Sequence, residues 1–242
     1  MDTYPYADAK GMARWMKMLD EEYPNFNTVG ETWVTEPPYT ASWQKDSKLS
    51  EENSYLKTVM DFSFFEKLSQ AKNEETDAWW NGLNRIYNSF VYDYLYPNPS
   101  SVMAFIDNHD TDRFLGNGCD SLMLKQALAL LLTVNRIPQI YYGTEILMNG
   151  TKEVTDGYVR KDFPGGFPND THNAFTKDGR TNAENRCSSG QAGSCIGDRA
   201  TRSSSKADKR NLFPITASMS SPVNTRDVRH SPSSTVQRSL PR

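Results

Sequence analysis

Residues 101–110 read Ser-Val-Met-Ala-Phe-Ile-Asp-Asn-His-Asp. The short apolar run from Val102 to Ile106 predicts a β-strand, and Asn108-His109-Asp110 falls just past its end. Downstream, residues 120–135 are the most apolar helical stretch, and Pro138-Gln-Ile-Tyr-Tyr-Gly143 reads as the next strand. Upstream, an aromatic helix is expected from about Asp77 to Tyr96, stopped by Pro97 and Pro99. Lys57–Phe65 reads as an earlier strand, and Phe26–Trp33 as another, with Glu31 near its end. Before these, Asp8 is a good N-cap, and Met12, Trp15, Met16 and Leu19 follow at helical spacing, in a helix that ends before Pro24. Strands alternating with helices predict an α/β fold with a parallel sheet or barrel. Residues 156–173, rich in Gly, Pro and Asp, are too polar for core and long enough to cover a site.

The charge is unevenly spread along the 242 residues. Residues 1–186 carry 18 Lys+Arg and 27 Asp+Glu, whereas residues 187–242 carry 9 Lys+Arg and 3 Asp. That last stretch has 13 Ser and neither Trp nor Tyr, so it has little to bury against the entropy of ordering. It is expected to be a disordered tail, with the folded domain over 1–186. Within 1–186 the single cysteine, Cys119, has no disulfide partner; Cys187 and Cys195 read as unpaired thiols of the tail. An acidic body and a basic tail without interleaved aromatics argue against nucleic acid. The longest apolar run, Ala127 to Val134, is too short to span a bilayer. Met1-Asp2 opens without a basic stretch and apolar core, so no signal peptide is read and a cytoplasmic location is the default expectation.

Glu31 and Asp110 each follow an apolar strand, where a parallel α/β architecture places its chemistry. Asp2 sits where a further strand would end. A glycosidase needs such carboxylates: one protonates the departing oxygen, another attacks the anomeric carbon, and more negative charge steadies the oxocarbenium-like transition state. Each residue also has a plainer reading. A glutamate at a strand end is often only solvated, a lone histidine is often a satisfied polar group, and Arg113 reads as a surface ion-pair partner of Asp110 or Asp112. Asn108-His109-Asp110 lacks a second histidine at metal-ligand spacing, so no metal site is assigned.

Taken together, the segments resemble the α-amylase family of glycoside hydrolases. Val29-Gly-Glu31-Thr-Trp33 is similar to the family segment carrying the general acid, and Phe105-Ile-Asp-Asn108-His109-Asp110 to the one carrying the stabilising aspartate. Asp2-Thr-Tyr-Pro-Tyr6 resembles the end of the nucleophile segment, without its usual arginine. Tyr141-Tyr-Gly-Thr-Glu145 and Asp162-Phe-Pro-Gly-Gly166 resemble the last barrel strand and the loop after it. The details look most like the cyclomaltodextrinase and neopullulanase branch. The resemblance implies the second half of a TIM (β/α)8 barrel, from the end of strand four to strand eight. It also implies an α-glucan or maltooligosaccharide substrate, and it leaves open calcium, a dimer and a periplasmic or secreted location for the parent enzyme. Asp2 would be the nucleophile, Glu31 the acid/base and Asp110 the stabiliser. His109 and Asn108 would contact sugar, and Trp33 would either border a sugar subsite or be a core aromatic.

Half a barrel leaves an open sheet edge, so the activity of the chain alone is in doubt. Two other readings stand beside this one. A non-catalytic remnant would at most bind glucan weakly; an unrelated TIM-barrel enzyme, such as a sugar isomerase, would leave the order of the motifs unexplained. Residues 187–242 match neither the barrel helix nor the β-sandwich that follow in the family. Reverse-translated and read one base earlier from Arg186, permitted codons yield an amphipathic helix and then strand-like alternation. A frameshift near Asn185–Arg186 is therefore expected.

Overall fold

The computed structural model describes residues 1–74, 78–116 and 118–188. Four short strands form one sheet: β1 (Val29–Gly30), β2 (Thr58–Met60), β3 (Val102–Phe105) and β4 (Ile137–Gln139). They lie side by side in chain order and every pairing is parallel, with Val59 opposite Val102 and Met103 opposite Ile137. Parallel neighbours need a crossover, and each crossover here contains a helix. The segment before β1 holds α1 (Ala9–Glu22), and α2 (Pro37–Ser42) lies between β1 and β2. Helices α3 (Phe62–Ala71) and α4 (Leu83–Phe90) lie between β2 and β3, and α5 (Ser121–Thr133) between β3 and β4. After β4 come the short α6 (Asp156–Val159) and α7 (Asn182–Ser188). This is the expected α/β architecture, a partial barrel sheet with its covering helices.

Met1 continues the sheet beyond β1. Its main-chain nitrogen donates to Val29 O at 2.9 Å, and Glu31 N donates back to Met1 O at 2.9 Å. That reciprocal pattern is a parallel ladder one residue long. It places Asp2 at a strand end beside Glu31, as the sequence predicts.

Alternation along the strands sorts the core. Ala104 and Ile106 face Leu124, Leu128 and Leu131 of α5 and Phe64 and Leu68 of α3. Val59 and Val102 pack with Tyr4, Leu56 and Met16 of α1. Phe105, Met60 and Phe62, with Met103, form a separate aromatic-rich cluster. Helix α1 starts as expected, with Asp8 Oδ2 accepting from Gly11 N at 2.7 Å. Its inner face runs through Met12, Met16 and Leu19 as expected, joined by Ala13, whereas Trp15 is exposed. Asp120 caps α5 by accepting from Leu122 N and Met123 N.

Three elements differ from expectation. Strand character within Lys57–Phe65 stops at Met60, because Asp61 Oδ1 accepts from Phe64 N at 2.9 Å and caps α3 there. The helix expected over 77–96 is helical only from Leu83 to Phe90, followed by a 3-10 turn at Asp93–Leu95. Gly82 (φ 56°) precedes it in a conformation no α-helix continues through, and residue 77 is outside the described residues. The boundary placed after residue 186 falls inside α7, where Thr181 and Glu184 form a capping box and Cys187 is buried against the α5 cluster. Cys187 is thus a packed free thiol rather than one on a loose tail. The expectations of disorder and frameshift from residue 189 on, and Cys195, lie outside the described residues. No helix among the described residues is long and apolar enough to cross a membrane.

Arg136, just before β4, ties these parts together. Its buried guanidinium donates to Asp61 at 3.0 Å and to Asp93, beneath the rings of Phe90 and Tyr96. Arg136→Met leaves Asp61 buried without its counter-charge and is expected to lower unfolding stability by about 3–5 kcal/mol. Urea denaturation checks this; an unchanged midpoint would show that the ion pairs are dispensable.

Candidate active site

Glu31 follows β1 directly, and only 8% of its surface is exposed. Both ends of its peptide are held by the N-terminal segment: Glu31 N donates to Met1 O, and Tyr4 N donates to Glu31 O at 3.1 Å. Thr3 N donates to the side-chain Oε2 at 2.7 Å. Gly30, immediately before, has no room for a side chain: a Cβ there would lie 2.5 Å from Leu56 Cδ2 and 3.2 Å from the Tyr4 ring. Burial pushes the Glu31 carboxyl above the usual range; the Thr3 N–H opposes this, while a hydrogen bond to Asp2 and the charges of Asp2 and Asp110 reinforce it. The three acidic residues, far apart in sequence, thus converge on one site.

Asp110 sits in the turn after β3. Its Oδ2 lies 3.1 Å from His109 Nε2, and its Oδ1 accepts from Arg160 Nη2 at 2.6 Å. Buried Asn108 accepts from Asp110 N through Oδ1 at 2.9 Å, so it shapes the turn. His109 itself is more than half exposed and open to a ligand. One face of Trp33 stacks on Phe62 with centroids 4.7 Å apart, as in its core-aromatic reading, and 43% of its surface remains exposed.

Two arginines were misread or missed. Arg113 is not at the surface but 1% exposed. It donates through Nε to Val159 O at 2.9 Å and through Nη1 to Tyr142 O, with its guanidinium 3.9 Å from the Tyr141 ring centroid. Carbonyl oxygens and ring faces, rather than a carboxylate bond, hold this charge. Arg160, in the loop expected to cover the site, also donates through Nε to His109 O at 2.8 Å. Lys152 reaches the same turn, its Nζ donating to Asp110 O at 3.0 Å. Asp107, also missed, is buried; its Oδ2 accepts from Phe114 N and closes the loop that presents Asp110. Burial drives its carboxyl pKa upward, against the Phe114 N–H and the charge of Arg113. Among the described residues no group of three or more His, Cys, Asp or Glu side chains is arranged to hold a metal ion.

The family model for the α-amylase catalytic domain matches residues 6–221. The chain belongs to the α-amylase family. This α-amylase-family chain is 32% identical over 157 residues to a cyclomaltodextrin glucanotransferase of Geobacillus stearothermophilus, covering 62% of this chain and 20% of that protein. It is 41% identical over 93 residues to an α-amylase of Niallia circulans, covering 38% of this chain and 17% of that one. Among solved structures it is similar to an Anoxybacillus α-amylase, with a TM-score of 0.53 and 26% identity, over 66% of this chain and 35% of that chain. The α-amylase-family chain therefore spans a fifth or less of these two relatives' length.

The raised pKa of Glu31 links stability to pH. Its protonated form is favoured in the fold, so its contribution is complete below the ordinary glutamate pKa of about 4.3 and is lost as pH rises through the higher native value. Glu31→Gln keeps an acceptor for Thr3 and a donor for Asp2 without a charge. Its melting temperature should match that of the wild type near the acid end of this window and exceed it above the native Glu31 pKa. Parallel melting curves across pH check this, and a constant difference would refute the linkage.

Proposed function

We propose that this chain supplies the catalytic carboxylates of a retaining hydrolase acting on α-1,4-linked glucans. Maltooligosaccharides, starch, pullulan and cyclodextrins are the substrate class, and the cyclomaltodextrinase or neopullulanase branch is the parent type. The observation that carries this is buried Glu31, hydrogen-bonded to Asp2 and within the field of Asp110, in an α-amylase-family barrel. Burial keeps Glu31 protonated to higher pH than a solvated glutamate, as a general acid requires. Glu31 gives its proton to the departing glycosidic oxygen while Asp2 attacks the anomeric carbon, forming a glycosyl ester. Glu31, now ionised, takes a proton from water, which cleaves the ester and restores both groups. Asp110, held by Arg160 and His109, places fixed negative charge beside the oxocarbenium-like centre. The exposed face of Trp33 and the imidazole of His109 are suited to sugar rings and hydroxyls.

A second reading, a glucan-binding remnant without turnover, draws support from the part of the Anoxybacillus chain that is matched, 35% of its length. The two readings part in one experiment, in which the purified protein is mixed with maltoheptaose and followed by NMR. Turnover with the α-anomer released first, reduced about 10²–10⁴-fold in Glu31→Gln, is expected of the hydrolase. Release of the β-anomer, or a Glu31→Gln variant at full rate, would refute it. Saturable binding with no new reducing ends is the outcome of the second reading.

A further inference from the structure

Thr3 has an unusual backbone for its residue type. It is β-branched yet sits at φ 45°, ψ 40°, in the left-handed region that such side chains rarely occupy. Its side chain is exposed, and strain of this kind persists only where the surroundings fix the backbone. Here they do. Met1 is laddered onto Val29 and Glu31 on one side, and on the other Tyr4 is 1% exposed, with its N–H on Glu31 O. Between these two anchors the chain turns so that Thr3 N–H points at Glu31 Oε2, 2.7 Å away.

We propose that Thr3 is a positioning residue for the general acid, acting through its main-chain N–H rather than its side chain. The inference rests on Glu31 being that acid. In a protonated carboxyl the carbonyl oxygen is the stronger acceptor, so an N–H fixed on Oε2 favours Oε2 as the acceptor oxygen in both ionisation states. The acid proton is thereby assigned to Oε1, where it can pass from the Asp2 carboxylate to a bound substrate. When Glu31 ionises, the same N–H becomes a charge-assisted donor and steadies the carboxylate that must later act as base. It opposes the burial that raises the Glu31 pKa, so it limits how far that rise goes.

The test needs no turnover. In proton–nitrogen NMR of the full chain across pH, the Thr3 amide proton should move downfield as Glu31 ionises, with the midpoint of the Glu31 side-chain carbon. That response should vanish in Glu31→Gln and survive in Thr3→Gly, which keeps the N–H and accepts the left-handed backbone. Replacing Thr3 by its α-hydroxy acid analogue turns the amide into an ester and deletes only the N–H; the Glu31 midpoint should then move to higher pH. A Thr3 amide that ignores the Glu31 titration would overturn the proposal. So would an ester variant with an unchanged midpoint. Should the ester variant not fold, the wild-type titration alone decides. Loss of hydrolysis in Glu31→Gln tests the acid assignment separately, so failure of one reading is distinguishable from failure of the other.

Discussion

Parallel pairing is the constraint on which the site depends. When every strand runs the same way, all C-terminal ends gather on one side, and each link between neighbours must cross back as a helix. The ladder from Met1 through β1, β2 and β3 therefore brings residues 2, 31 and 110 to the same edge of the sheet. The helices that the crossovers demand also cover one face of the sheet, and the burial they supply fixes the strand ends. Chemistry at the strand ends is thus a by-product of how the backbone satisfies its hydrogen bonds.

Two buried acids show how surroundings divide structural from chemical roles. Asp61 is met by the Phe64 N–H and the Arg136 guanidinium, partners that stabilise its charge and lock α3 to β4. Glu31 is met instead by two other acids and one N–H. The first arrangement lowers the energy of the fold; the second raises it in exchange for a carboxyl that holds a proton. Around Asp110 the balance is different again. Arg160 and Lys152 come from the loop after β4, so the positive charge of the site is supplied by irregular chain and the negative charge by strand ends.

How much of this the sequence disclosed follows from the range of each interaction. Caps are local, and Asp8 was legible. Asp61 is also a cap, but the aromatic run after it has strand-like composition, and that obscured a helix start. Gly82 was overlooked because glycine in a helical pattern is tolerated often enough to be passed over. The carboxylate trio was found because its flanking residues resemble family segments, which compress long-range geometry into short strings. Arg160 lies 50 residues from Asp110 and just outside the family-like string that begins at Asp162, so nothing in that string points to it. Arg113 was misplaced because a charged side chain is ordinarily solvated, and nothing in the adjacent residues announces two tyrosine rings and two carbonyls waiting for it.

Gly30 touches no ligand and carries no functional group, yet it governs what the neighbouring carboxyl can do. The space above its Cα is already filled by Leu56, fully buried, and by the Tyr4 ring, equally hemmed in. Any side chain at position 30 would push on Tyr4, whose N–H holds the peptide of Glu31. The displacement would reach the site through the main chain, not through a lost contact. At position 30, then, the missing side chain is itself the structural contribution: a hydrogen in place of a methyl lets strand, ring and carboxyl close on one another.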